Sequence, residues 1–260
     1  MSTFNRDSQS AYSVAGTHAD AAIDQGLRSY MLGVYNYMTI GLALTGFFAL
    51  AVFTMTVTQD PSSAAASLAD GTMLTSLGVT LYTSPLKWVV MLAPLGMVMY
   101  LSFRISSMSA STARTTFLVY AAVMGISLSS IFLIYTSGSI ARVFFITAAS
   151  FGALSLFGYT TKKDLSAMGS FLFMGLIGIV IASVVNIFLA SSALQFAISV
   201  IGVLVFAGLT AYDTQQIKSM YYEGDDSETA TKKSVMGALR LYLDFINMFL
   251  MLLQLFGNRD

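Results

Sequence analysis

Long apolar runs separated by short polar breaks dominate the chain. Seven of them approach the length a helix needs to cross a hydrocarbon core of about 30 Å: roughly 30–57, 86–104, 115–136, 140–160, 168–190, 195–221 and 234–256. None shows the alternation of a barrel strand. Backbone groups in lipid must be satisfied within each segment, so all seven are expected to be helices. The predicted fold is all-α, a polytopic membrane protein built as a seven-transmembrane-helix bundle. The fourth run is the least regular, since Gly138 and Arg142 crowd its start. Residues 1–28 mix Ser, Thr, Asp, Asn and Gln without periodicity and lack the basic start and apolar run of a cleaved signal peptide. They read as a flexible tail ahead of a membrane domain over 29–260.

The last run carries the clearest internal pattern. Arg240, Asp244, Asn247, Met251 and Gln254 follow spacings of four, three, four and three, which puts them on one face of a helix. The other positions are Leu, Phe, Met and Ile. A polar stripe along a spanning helix belongs against protein or water, so this helix is expected at the centre, surrounded by the other six. For Asn247 and Gln254, hydrogen bonds between helices are a sufficient reading. Asp244 is different, because it lies about ten residues, or about 15 Å, from the nearest polar loop. An ionisable group at that depth costs several kcal/mol unless it is paired, protonated or wetted.

Asp213, in Thr210-Ala-Tyr-Asp-Thr-Gln-Gln216, is the second acid of this kind. A helix ending near Lys218 leaves it an interfacial, solvated group. A helix ending at the aromatic pair Tyr221-Tyr222 buries it about 13 Å from the cytoplasmic end, with Lys218 snorkelling outward. The sixth and seventh runs are consecutive and antiparallel, so Asp213 and Asp244 can meet at similar depth. Two carboxylates together in a low dielectric cannot both ionise readily. The pair is expected to share a proton and to titrate in two coupled steps. Arg240, one turn before Asp244, either balances that charge or snorkels to the interface. Arg104 is a further candidate latch, or simply a cytoplasmic positive charge.

Oxygen ligands of this type suit a hard cation such as Ca²⁺. Asp213 and Asp244, with Asn247 and Asn186, make a thin set, adequate for weak transit rather than tight binding. Glu223-Gly-Asp-Asp-Ser-Glu228 lacks the spacing of an EF-hand loop and reads as a solvated linker. Gly175, Gly178, Ala182 and Asn186 share a face of the fifth run, which favours close helix packing.

Composition narrows the classes further. Hydrophobic residues make up 56% and charged residues 10%, with mean hydropathy +0.73, far from a soluble domain. The formal net charge of zero argues against a nucleic-acid partner, and the absence of cysteine excludes disulfides and thiolate chemistry. The single histidine, His18, lies in the tail, which leaves no histidine for catalysis in the membrane. No cofactor is expected and the protein is not expected to be an enzyme. With the tail in the cytoplasm, nine basic residues fall on that side (Arg6, Arg28, Arg104, Arg114, Lys162, Lys163, Lys218, Lys232, Lys233) against Lys87, Arg142 and Arg259 outside. The positive-inside rule then predicts a cytoplasmic N-terminus. A re-entrant last segment would instead return the C-terminus inside. The loop 58–85, with turn signals at Asp60-Pro61 and Asp70-Gly71, is expected outside and partly docked.

Several segments carry a resemblance. Phe157-Gly-Tyr-Thr-Thr-Lys-Lys-Asp-Leu-Ser166 with Met168-Gly169, Gly208-Leu-Thr-Ala-Tyr-Asp-Thr-Gln215 and Leu241-Tyr-Leu-Asp-Phe-Ile-Asn247 resemble signature segments of the Bax inhibitor-1 family, particularly its bacterial members. Tyr35-Asn-Tyr-Met38 and Gly41-Leu-Ala-Leu-Thr-Gly46 are similar to its first helix. The resemblance covers residues 28–260 in order. It implies a seven-helix bundle around a central C-terminal helix and a pH-sensitive Ca²⁺ leak, with the family's aspartate pair at Asp213 and Asp244. It also implies a bacterial inner membrane, and Ca²⁺ and protons as the species handled. A basic partner near Arg104 matches loosely, and the first helix holds no acid for a carboxylate latch. A second reading is a regulator that binds another membrane protein, such as an integral membrane protease.

Overall fold

The computed structural model describes the backbone of residues 4–69 and 71–259, with side chains from residue 25 onward within those bounds. Eight α-helices follow in order: α1 (Phe4–Thr56), α2 (Ser76–Tyr82), α3 (Leu86–Arg104), α4 (Ala110–Leu128), α5 (Ser137–Thr160), α6 (Ser166–Leu189), α7 (Ser192–Ser219) and α8 (Ser227–Phe256). All but the short α2 belong to spans long and apolar enough to cross a membrane, seven among the described residues. The helix α1 runs back through the segment read as a tail, whose side chains up to residue 24, His18 among them, lie outside the described residues.

Polar residues at the breaks start the helices. The side chains of Ser109, Thr136, Ser191 and Asp226 accept hydrogen bonds from backbone amides in the first turns of α4, α5, α7 and α8. The Thr136 cap and the docking of Asn258 onto Ser139 explain how α5 begins cleanly despite Gly138 and Arg142. At the other end of α6, Ala190 takes the left-handed conformation (φ 48°) and closes the tight α6–α7 turn.

The helix α8 lies at the centre. Of its most apolar window 67% is buried, against 11% for the span that begins with α3. It packs chiefly on α7, α1, α5 and α4, while α6 leans on α7 and α3 on α4. The expected ring of six is therefore four, with α3 and α6 forming an outer layer. Exposed Phe103, Phe145, Ile187 and Phe188 give the bundle the apolar exterior that hydrocarbon requires.

The segment after α1 folds onto one end of the bundle. Strands β1 (Val57–Thr58), β2 (Ala66–Ser67) and β3 (Met73–Leu74) form a small antiparallel sheet in the order β1-β3-β2. Leu74 is fully buried, and the Tyr82 hydroxyl donates to Ser129 Oγ at 2.9 Å. The Asp60 turn accepts from Ser62, while Asp70 of the second turn signal lies outside the described residues.

The helix α8 is continuous over 30 residues, about 45 Å, which removes the re-entrant alternative. Its end is tied to the α4–α5 connection: Thr136 N donates to Asn258 O at 3.1 Å, and Asn258 N to Ser139 Oγ at 2.8 Å. The chain after α8 therefore sits at the end of the bundle opposite the α7–α8 loop.

Candidate functional site: an aspartate pair between the last two helices

The polar stripe of α8 meets α7 at Asp244, Met251 and Gln254. Near the α7–α8 loop, Asp244 meets Asp213, and the two side chains come within hydrogen-bonding reach. Midway, Met251 lies over Gly202, where an added Cβ would come within 2.9 Å of the Met251 side chain. Farther on, Gln254 Oε1 accepts from Gln195 Nε2 at 2.5 Å and from Ser199 Oγ at 2.8 Å.

Asp244 is buried, at 4% relative exposure, and its Oδ2 has no hydrogen-bond donor. Carboxylates only accept, so two facing carboxyl groups form a hydrogen bond only when one of them carries a proton. No group of the described protein donates to that oxygen, so a hydrogen bond between the two acids requires a proton on one of them.

A cavity of about 650 Å³ opens beside the pair between α6, α7 and α8. Asp213, Asp244, Arg240 and Asn247 line it, together with Ser170 and Tyr212. Arg240 is exposed yet close enough to act electrostatically on both acids, and it forms no ion pair with either. Asn247 donates its amide nitrogen to Leu243 O at 2.8 Å, which leaves its oxygen for the cavity side. Among the described residues no three His, Cys, Asp or Glu side chains gather as a metal site. A cation here would meet two carboxyl groups and one amide, fewer oxygen ligands than Ca²⁺ usually takes.

The helix α7 ends at Ser219, so Asp213 is about 9 Å from its end, shallower than a helix reaching Tyr222 would place it. Lys218 does not snorkel outward. Its Nζ donates to Tyr159 O at 2.9 Å and sits 4.9 Å from the centre of that ring. Two further candidates lie apart from the pair. Arg104 is exposed at the end of α3 and does not line the cavity. Asn186 is at the α6–α7 turn, where its Nδ2 donates to Gln195 Oε1 at 3.1 Å and its Oδ1 accepts from Ser191 N. Gln195 is 18 residues from Asp213 on α7, about 27 Å along the axis. Asn186 therefore belongs to the amide cluster at the far end of the seam. Of the small residues on its face, Gly175 sits against Val205 while Gly178 has open space.

A chain of hydroxyl groups runs beside the site. Tyr35 Oη lies 2.7 Å from Ser155 Oγ, which lies 2.9 Å from Thr214 Oγ1, and Thr214 donates to Thr210 O at 2.7 Å. This hydroxyl chain joins α1, α5 and α7 next to Asp213. The spacing of Thr210 and Thr214, four apart beside an acid, is the signal that would have marked its α7 end.

Fold and site define a polytopic helical membrane protein with an acid pair enclosed between two consecutive antiparallel spans. The chain belongs to the Bax inhibitor-1 family: the family model described as inhibitor of apoptosis-promoting Bax1 matches residues 27–260. Its relatives include the inner membrane protein YbhL of Escherichia coli, 49% identical over 90% of this chain and 93% of the relative. Protein RP147 of Rickettsia prowazekii is 47% identical over 94% of this chain and 95% of its own length. A Caulobacter vibrioides protein is 45% identical over the full length of both.

Proposed function

We propose that this protein is a pH-sensitive Ca²⁺ leak channel of a bacterial inner membrane, with its N-terminus in the cytoplasm and Asp213 and Asp244 as the proton-sensing element. The observation that carries the proposal is the half-buried Asp213 against the buried Asp244, whose Oδ2 lacks a donor among the described residues. With a shared proton the pair draws α7 and α8 together. Once the proton leaves, two unit charges about 4 Å apart repel by about 4 kcal/mol at an effective dielectric near 20. That is on the scale separating two packings of one bundle. The repulsion is relieved by movement along the seam, by a cation entering between the acids, or by Arg240. Asn247 would add an oxygen ligand at the cavity. The inner-membrane location rests on the multi-pass fold and the name of the Escherichia coli relative.

The test is Ca²⁺ flux into liposomes holding the purified protein from about pH 5 to 8, a range that starts just above the ordinary carboxylate values. It is run for the wild type and for Asp213→Asn and Asp244→Asn. A pH-dependent flux that either substitution flattens supports the sensor pair. Wild-type liposomes no leakier than empty ones at every pH would remove the channel reading in favour of a regulator bound to another membrane protein, such as a membrane protease.

A further inference from the structure

The helices α1 and α5 both pack on α8 but have at most weak contact with each other. They touch through the Tyr35–Ser155 hydrogen bond, and a groove runs between them on the lipid-facing side. Its first part, about 580 Å³, is lined by Arg28, Tyr35, Gly152, Leu156 and Tyr159. Its second, about 770 Å³, continues past Gly46, Phe47, Leu50 and Phe145, and the two share Met38 and Phe151.

Length and charge identify the occupant. From Arg28 to Leu50 is 22 residues, about 33 Å of helix, so the groove covers a hydrocarbon core of about 30 Å. From Arg28 to Met38 is 10 residues, about 15 Å, the depth of a single leaflet. The charge is confined to one end. Arg28 stands exposed at the first mouth, Lys218 lies behind Tyr159 at the same level, and the second part has no charged lining residue. A detergent-like or neutral chain would need no cation there. We infer that the α1/α5 groove is a specific site for one anionic phospholipid of the leaflet facing the Arg28 end, its phosphate on Arg28 and an acyl chain along Gly152 and Phe151. The bound lipid would rest against Tyr35, the outer member of the hydroxyl chain that ends beside Asp213.

Space in the groove supplies the test. An added Cβ at Gly152 or Gly46 meets nothing within 4 Å, so Gly152→Phe fills the groove without displacing backbone. The only tryptophan, Trp88, is on α3, away from the groove, and is replaced by Phe. Leu156→Trp then places an indole in the lining. The protein is reconstituted in phosphatidylcholine containing brominated phosphatidylglycerol or brominated phosphatidylcholine, and quenching of the indole is measured. Brominated phosphatidylglycerol is expected to reach half-quenching at about fivefold lower mole fraction, the effect of one basic residue near the membrane surface. Arg28→Gln should abolish that preference and Arg28→Lys keep it, while Gly152→Phe reduces quenching by both lipids. Equal quenching by the two lipids in the Arg28 protein overturns the proposal, as does an undiminished preference in Arg28→Gln. The readout is independent of Ca²⁺ flux.

Discussion

Thr45 Oγ1 and the Tyr242 hydroxyl lie 2.6 Å apart in the buried core, and Thr45 Oγ1 also reaches Ala121 O at 2.8 Å. Thr45 has one proton, which goes to a carbonyl, so Tyr242 is the donor of the shorter bond. One hydroxyl thus couples α1, α4 and α8. Tyr242→Phe should cost about 1 kcal/mol of stability. Thr45→Val should cost about 1–3 kcal/mol, since it leaves the Tyr242 phenol without its acceptor in a dry interior. The phenylalanine should then add little on top of the valine. Thermal unfolding of the four proteins in one detergent measures the cycle, and simple additivity would rule out the coupling.

At Gly158 α5 packs closely on α7: a Cβ there would run into the Ala211 carbonyl oxygen. Backbone cannot step aside as a side chain can. Gly158→Ala should therefore lower stability by about 1–3 kcal/mol and spread α5 from α7. Ser155, one turn away, should lose its bond to Thr214, which a shift in hydroxyl exchange would register. An unchanged melting temperature would show that the two helices have slack.

Hydrogen bonds from the Thr229 hydroxyl and amide hold the Asp226 carboxyl below the usual carboxylate range. A depressed value in the folded state means the cap's contribution is present above the unfolded value near 3.9 and is lost as pH falls through the folded value. Amide exchange at Thr229 should be faster in Asp226→Ala than in the wild type at about pH 5, and the difference should close well below about pH 3.9. A difference that persists into strong acid would show that the carboxylate is not the cap.

Ala190 carries the only positive φ of any non-glycine residue among those described. Its Cβ crowds a backbone conformation glycine adopts freely. Ala190→Gly should raise stability by about 1 kcal/mol, with the Asn186–Ser191 bond intact. A lower melting temperature would mean that the turn gains from a stiff unfolded chain more than it loses to strain.

The seven spans were legible because lipid imposes a length and a polarity on each segment that no packing detail overrides. The meeting of Asp213 with Asp244 was legible too, since consecutive antiparallel helices leave few ways to place two acids of similar depth. The standing of Asn186 was not. Of the face read for it, Gly175 packs but Gly178 is exposed, and its helix ends three residues later, where the turn captures its side chain. Lys218 misled for a related reason: a backbone carbonyl on α5, far away in sequence, takes its ammonium. The Tyr35–Ser155–Thr214 chain joins residues far apart in sequence and leaves only the Thr210/Thr214 spacing as a local trace. Which helices touch α8 was equally hidden, because hydropathy separates lipid from protein but not one neighbour from another.

The central position of α8 has a consequence for biosynthesis. Its main partners α1, α4, α5 and α7 all precede it in the chain, so every one leaves the ribosome and enters the bilayer before the element they surround. At about 5–20 residues per second, the 30 residues of α8 take seconds to follow. During that interval Thr45, Thr214 and Asp213 face lipid, water or one another. Membrane insertion can therefore proceed span by span, but closure of the bundle around α8 waits for the last span, and a nascent chain halted before residue 244 holds Asp213 without its partner acid.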